Sequence, residues 1–246
     1  MGGTWEAISA PTCSPALAGS LLDCSVALDY SSDVRRRPID RVLILCILFA
    51  AFAGLTVLVG SGATDALDDV VLGWVLPWRS PLLDQLFQAI TLAGDPVVSS
   101  LGAVAVTFVL VAREGRRGQV ALLFFAGLAL EFGLKQVIFQ PGPPSELVRD
   151  AVLLPALRNL SPYTYPGGHV MRVAFLAALL AARYPRLRLA LTFVVLLVVI
   201  GRVYLAAGWA TDIVGGLIAG LALATVAELV RERLGSPQAA DALAAT

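Results

Sequence analysis

The sequence predicts an all-α integral membrane protein, a six-helix bundle flanked by amphipathic helices at the membrane interface. Three observations predict this fold class. Apolar residues fill 58% of the 246 positions and charged residues only 15%, with a mean hydropathy of +0.81, whereas soluble domains carry about 25% charged residues. Six apolar stretches each come close to the ~17–25 residues that carry a helix across a bilayer. Arginines crowd the connections on one side of those stretches and are sparse on the other.

Residues 1–40 mix Ser, Ala, Gly and Asp and end in "RRRPIDR". The start has no basic n-region, so the stretch does not read as a secretory signal. It is expected to be a poorly ordered or surface-lying cytoplasmic leader, followed by a membrane domain over 41–234 and a cytoplasmic tail over 235–246. A Cys13–Cys24 disulfide is one option, though the pair lies in a segment with little predicted structure, and Cys46 sits in an apolar run. Neither these three cysteines nor the single histidine supplies a metal-ligand spacing, so no cofactor is implied. A formal net charge of zero offers no basic footprint for nucleic acid.

The apolar stretches cover roughly 42–60, 97–112, 119–139, 166–183, 187–206 and 212–230. Between the first two, residues 64–94 are amphipathic, with Trp74, Trp78 and a break at Pro77. They predict one or two helices in the interface, where Trp is favoured. Arg35, Arg36, Arg37 and Arg41 precede the first span. Arg113, Arg116 and Arg117 join the second and third, Arg183, Arg186 and Arg188 join the fourth and fifth, and Arg231 and Arg233 follow the sixth. The other connections hold only Arg79, then Arg149 and Arg158, then none. By the positive-inside rule both termini of this multi-pass protein are expected to be cytoplasmic, and the cell membrane is its expected location.

Charges within spans cost roughly 2.5–3.5 kcal/mol each on insertion scales. Glu131 and Lys135 lie one turn apart in the third span, a spacing that also suits a plain intrahelical ion pair. Lys135 is the single lysine and His169 the single histidine. With the spans threaded as above, Lys135, His169, Arg202 and Asp212 fall at one depth on the outer side. Arg172 lies one turn beyond His169. Lysine and arginine supply donors and charge for a phosphate, arginine in bidentate fashion. "PGGH" sets Gly167 and Gly168 at a helix start, where backbone N–H groups and the dipole favour an anion. A histidine there can protonate a leaving oxygen.

Three stretches carry a resemblance: "KQVIFQPGP" from Lys135, "PGGH" from Pro166 and "GRVYLAAGWATD" from Gly201. In order and spacing they resemble the motifs of the type 2 phosphatidic acid phosphatase family, relatives of the vanadium haloperoxidases. Those motifs read Lys-x6-Arg-Pro, Pro-Ser-Gly-His and Ser-Arg-x5-His-x3-Asp. The resemblance implies phosphate binding by Lys135, Gly167, Gly168 and Arg202, proton donation by His169, and an orienting role for Asp212. It also implies an arginine at position 142 and an attacking histidine at 208, where this chain has Gly142 and Gly208. Arg172, Arg149 and Arg158 are the candidates to replace the missing arginine. Asp212, with no imidazole to orient, is left to polarise a water or to pair with Arg202.

Two readings follow from this resemblance. One is an integral-membrane lipid phosphate or diphosphate phosphatase with an extracytoplasmic site, impaired or inactive because Gly208 stands in place of the nucleophile. The other is a non-catalytic phosphate-lipid binder or a structural subunit of a membrane complex. On either, the expected partners are membrane lipids. A transporter fits poorly, since the charges cluster at one end of the spans and no inverted repeat is visible.

Overall fold

The structure, a computed structural model, describes residues 21–150 and 163–235, with side chains from residue 39 onward. The readings that rest on 1–20, on Arg158, on the Cys13–Cys24 pair and on 236–246 lie outside the described residues. Two compact units divide between Asp40 and Arg41. The first contributes the opening residues of helix α1, Leu21–Gly60, so the helix begins within the stretch read as a leader. All that follows concerns the second unit.

Eight α-helices and no strands make up the described chain. After α1 come α2, Asp65–Val75, and α3, Pro81–Thr91, separated by a 3-10 turn at Leu76–Trp78 that contains Pro77. The amphipathic stretch is therefore two short helices, as its pattern allows. Ser80 caps α3, its hydroxyl accepting the Leu83 N–H, with Pro81 in the first helical position, where its missing N–H costs nothing. Trp74 and Trp78 are exposed, consistent with interfacial anchors.

Helix α4, Pro96–Glu114, is capped by the Asp95 carboxylate, which accepts the Val97 N–H at 2.9 Å. Gly115 ends it with φ of +59°, a left-handed conformation that glycine adopts without a Cβ penalty. A 3-10 segment, Gly115–Leu122, then folds back on α4 and leads into α5, Leu123–Val137. Helices α6, Gly168–Arg183, α7, Arg188–Tyr204, and α8, Ala210–Leu234, complete the bundle.

Four helical stretches are long and apolar enough to cross a membrane: Ile39–Gly60, Pro96–Val137, Pro185–Tyr204 and Ala210–Leu234. The second contains both α4 and α5, and so holds two of the six spans read from the sequence. Helix α6, 16 residues long, is the central element. Its neighbours are α8, α7, α5 and the Leu92–Gly94 turn, and Met171, Arg172, Phe175 and Leu179 are all buried. It faces protein where its neighbours face lipid. Leu43, Phe49, Phe108, Leu189 and Phe193 stand exposed on the outer helices, as a lipid-facing surface requires.

Two apolar clusters clamp α6. One joins Leu110 of α4, Phe124 of α5, Phe175 and Leu179 of α6, and Ala224 and Ala227 of α8. The other joins Val170 and Val173 to Val198 of α7 and Ile213 of α8. Helices α6 and α8 cross at backbone contact. A Cβ on Gly216 would collide with the Gly167 carbonyl oxygen, and one on Gly220 with the Met171 carbonyl oxygen. Backbone atoms cannot rotate aside, so Gly216→Ala is expected to destabilise the bundle by about 1–3 kcal/mol, seen as a lowered Tm in detergent.

The ends of α6 and α8 away from His169 and Asp212 are tied by ions. Arg183 meets Glu228 at 2.5 Å and Glu114 at 3.2 Å, Arg231 meets Glu114 at 3.1 Å, and Arg41 meets Glu232 at 2.6 Å. Within this network three arginines stand against three carboxylates (Glu114, Glu228 and Glu232), a balance that suits their partial burial.

Candidate active site

The site is built at the opposite end, where α5 ends, α6 begins, α7 ends and α8 begins. A cavity of about 670 Å³ opens there, lined by Lys135, His169, Arg172 and Arg202 together with Gly142, Gly167, Gly168 and Gly208. Residues from four helices, and from the segment after α5, thus converge on one space. That segment is held in place by a bridge between Pro141 and Tyr163, a Thr164 N–H to Gln140 carbonyl bond of 3.1 Å, and the Trp209 indole N–H donating to the Pro141 carbonyl at 2.7 Å.

Glu131 is the hub of the cationic wall and is only 3% exposed. Its Oε1 accepts from Lys135 Nζ at 2.8 Å, and its Oε2 accepts from Arg172 Nη1. The plain ion pair of the sequence reading is therefore half of a shared arrangement. The carboxylate also lies directly over Gly168, where a Cβ would overlap it. Arg172, 2% exposed, further donates from Nε to the Gly94 carbonyl at 3.0 Å. Its Nη2 lies 3.3 Å from His169 Nδ1. A guanidinium has only donors, so Nδ1 accepts, and the proton of a neutral ring sits on Nε2. Gly94 is pressed against the His169 backbone, its would-be Cβ 2.7 Å from the His169 carbonyl oxygen, which fixes the first turn of α6.

Arg202 donates from Nη1 to Asp150 Oδ2 at 2.5 Å and from Nη2 to the Ala207 carbonyl at 2.5 Å. It does not pair with Asp212. That aspartate is fully buried and accepts the Trp209 N–H at 3.0 Å, closing the first turn of α8. The peptide carbonyl of Asp212 accepts the Gly167 N–H at 2.8 Å. Gly167 therefore lines the cavity with its own N–H already committed, contrary to the expectation that this N–H meets a phosphate. The close crossing of α6 and α8 is the reason.

Gly208 lies on the cavity wall. A Cβ there would meet Asp212 Oδ2 at 3.6 Å and Asp212 Cβ at 3.9 Å, ordinary contact distances, and its φ lies outside the left-handed region. Gly142 also faces the cavity, where a Cβ would lie 2.8 Å from the Thr164 methyl. Of the candidates for the missing arginine, Arg172 reaches the cavity but is held by Glu131. Arg149 is paired to Asp84 at 2.6 Å and does not line the cavity.

Sequence reasoning passed over two acids. Asp150 has no sequence signal, standing 52 residues from its partner. Asp68 of α2 is buried and accepts both the N–H and the hydroxyl of Thr211, at 2.9 and 2.5 Å, so α2 braces the start of α8. Only an acid one turn from a lone lysine, as Glu131 is, could be singled out without coordinates.

The fold has a solved counterpart. A crystal structure described as the first transmembrane PAP2 type phosphatidylglycerolphosphate phosphatase from Bacillus subtilis matches with a TM-score of 0.67 and 23% identity, covering 78% of this chain and 98% of that one. At that identity the likeness is one of fold. No curated protein sequence matches the chain. The PAP2 superfamily model matches residues 118–235, a stretch that contains Lys135, His169, Arg202, Gly208 and Asp212. Residues 118–235, which bring the motif positions to the cavity, are thus a PAP2 superfamily stretch set in a transmembrane fold.

Proposed function

We propose that the cavity receives the phosphate headgroup of a membrane lipid, and that the protein is a lipid phosphate or diphosphate phosphatase impaired by Gly208. The observation that carries this reading is the convergence of Lys135, His169, Arg172 and Arg202, from three helices, on one 670 Å³ space. Lys135, Arg202 and the N-terminal turn of α6 supply charge and donors for the phosphate. His169 Nε2–H donates a hydrogen bond to the departing oxygen. Gly208 supplies no attacking atom, so the remaining route is attack on phosphorus by water: the new O–P bond forms as the P–O bond to the lipid breaks, and the proton the water gives up passes by way of a phosphate oxygen to the departing oxygen. Arginine asymmetry in the connections supports an extracytoplasmic site with both termini inside.

The same glycine favours a second reading, a binder that holds phosphate lipids without hydrolysing them. Phosphate release from phosphatidate and from a polyprenyl diphosphate by the purified protein in detergent separates the two. Slow release that disappears in His169→Ala is expected for the impaired enzyme. Release no greater than that of His169→Ala, with lipid binding that still depends on Lys135, identifies the binder.

A further inference from the structure

The cations of the cavity are already partnered. Lys135 and Arg172 share the Glu131 carboxylate, and Arg202 holds Asp150 at 2.5 Å. Asp150 is no accident of a wandering chain. Its neighbour Arg149 donates its N–H to the Leu205 carbonyl at 2.9 Å and bonds Asp84, while Gln88 donates to the Arg149 carbonyl at 2.6 Å. Arg79 donates to the Leu147 carbonyl at 2.7 Å and to the Tyr204 carbonyl at 3.2 Å. Residues 147–150 are thus pinned to α3 and to the end of α7, and the Asp150 side chain is only 7% exposed. Its Oδ1 is buried and accepts no hydrogen bond from the described residues.

Among the described residues, three cations (Lys135, Arg172, Arg202) against two carboxylates (Glu131, Asp150) leave the lining with a formal charge of +1, with His169 counted neutral. Asp212 is buried behind the wall, its carboxylate turned to the Trp209 N–H. We propose that Glu131 and Asp150 are specificity-determining residues that match the cavity to a phosphate group bearing a single negative charge. Such a group is either a phosphodiester or a singly protonated monoester. This rests on the reading that the cavity binds lipid phosphate.

The physical reason is compensation. A singly charged phosphate neutralises the lining. A doubly charged one leaves a buried charge unpaired, and the desolvation cost of an extra charge rises faster than the attraction it gains.

The test is binding of lipids in neutral nanodiscs to the full-length protein, with phosphatidate as monoester and phosphatidylglycerol as diester, from pH 5 to pH 8. A phosphate monoester loses its second proton near pH 6, whereas a diester keeps one charge throughout. With the native chain, phosphatidate is expected to weaken roughly tenfold relative to phosphatidylglycerol across that range. Asp150→Asn is expected to remove most of that relative loss, and Glu131→Gln provides an independent check should Asp150→Asn fold poorly. A constant phosphatidate-to-phosphatidylglycerol ratio in the native chain overturns the proposal while leaving the cavity a phosphate site. Binding of both lipids that is indifferent to Lys135→Ala and Arg202→Ala overturns the phosphate-site reading itself.

Discussion

Gly208→His is expected to raise phosphate release from lipid phosphates by about a hundredfold or more over the native chain. The geometry admits the side chain. A Cβ at this position meets only the Asp212 side chain, at 3.6 Å and beyond, and the cavity lies in front of it. Asp212 is already fixed by the Trp209 N–H at 3.0 Å, so a new imidazole has a carboxylate beside it to set its tautomer and to stabilise its charged form. Recovery is expected to be partial, because Gly142 supplies none of the charge that the family motif places there, a contact of the kind worth about 1.5–3 kcal/mol. Free imidazole added to the native chain is expected to restore a smaller share, having no tether to hold it in line. Native turnover at full family-like rates, unchanged in Gly208→His, would show that the attacking atom comes from elsewhere.

Arg172→Leu is expected to cost about 3 kcal/mol of stability, read as a lowered Tm in detergent. Arg172 joins α6 to Glu131 of α5 and to the Gly94 carbonyl, and it is 2% exposed. Removing one partner of a buried pair costs about 3–5 kcal/mol because a charge is left uncompensated. The lower end applies because Lys135 still meets Glu131, at 2.8 Å. Adding Glu131→Gln to Arg172→Leu is expected to return part of the loss by removing the unpaired charge. Lys135→Ala separates the two roles of this wall. The Lys135 side chain is 18% exposed and Glu131 keeps Arg172, so Tm is expected to move little while lipid-phosphate binding drops. A Tm loss in Lys135→Ala as large as that of Arg172→Leu would mean that the lysine is as structural as the arginine.

The membrane class and the span positions were legible because lipid imposes a long, one-dimensional pattern on a chain. An apolar run of the right length says the same thing wherever its neighbours are. The shared depth of Lys135, His169 and Arg202 followed from threading those runs alternately, and all three line one cavity. Helix α6 was read as an ordinary span, yet it is the buried centre of the bundle, a distinction that hydropathy along the chain does not contain. Asp212 suggested Arg202 as a partner by charge alone. The structure gives Arg202 to Asp150 and turns Asp212 to the start of its own helix.

By itself, then, the sequence determined that this is a helical membrane protein with a PAP2-type set of residues and glycines at two of its working positions. Those conclusions need only composition, period and spacing, which are local or nearly so. Only the tertiary structure decided how the charges are spent. It set Glu131 between Lys135 and Arg172, brought Asp150 to Arg202 across 52 residues, and committed the Gly167 N–H to the Asp212 carbonyl. Pairing in a dry interior depends on which helices touch and at what height, and close approaches such as Gly216 on Gly167 fix those heights. The net charge that a ligand meets is a sum over contacts, and contacts are made only when the bundle closes.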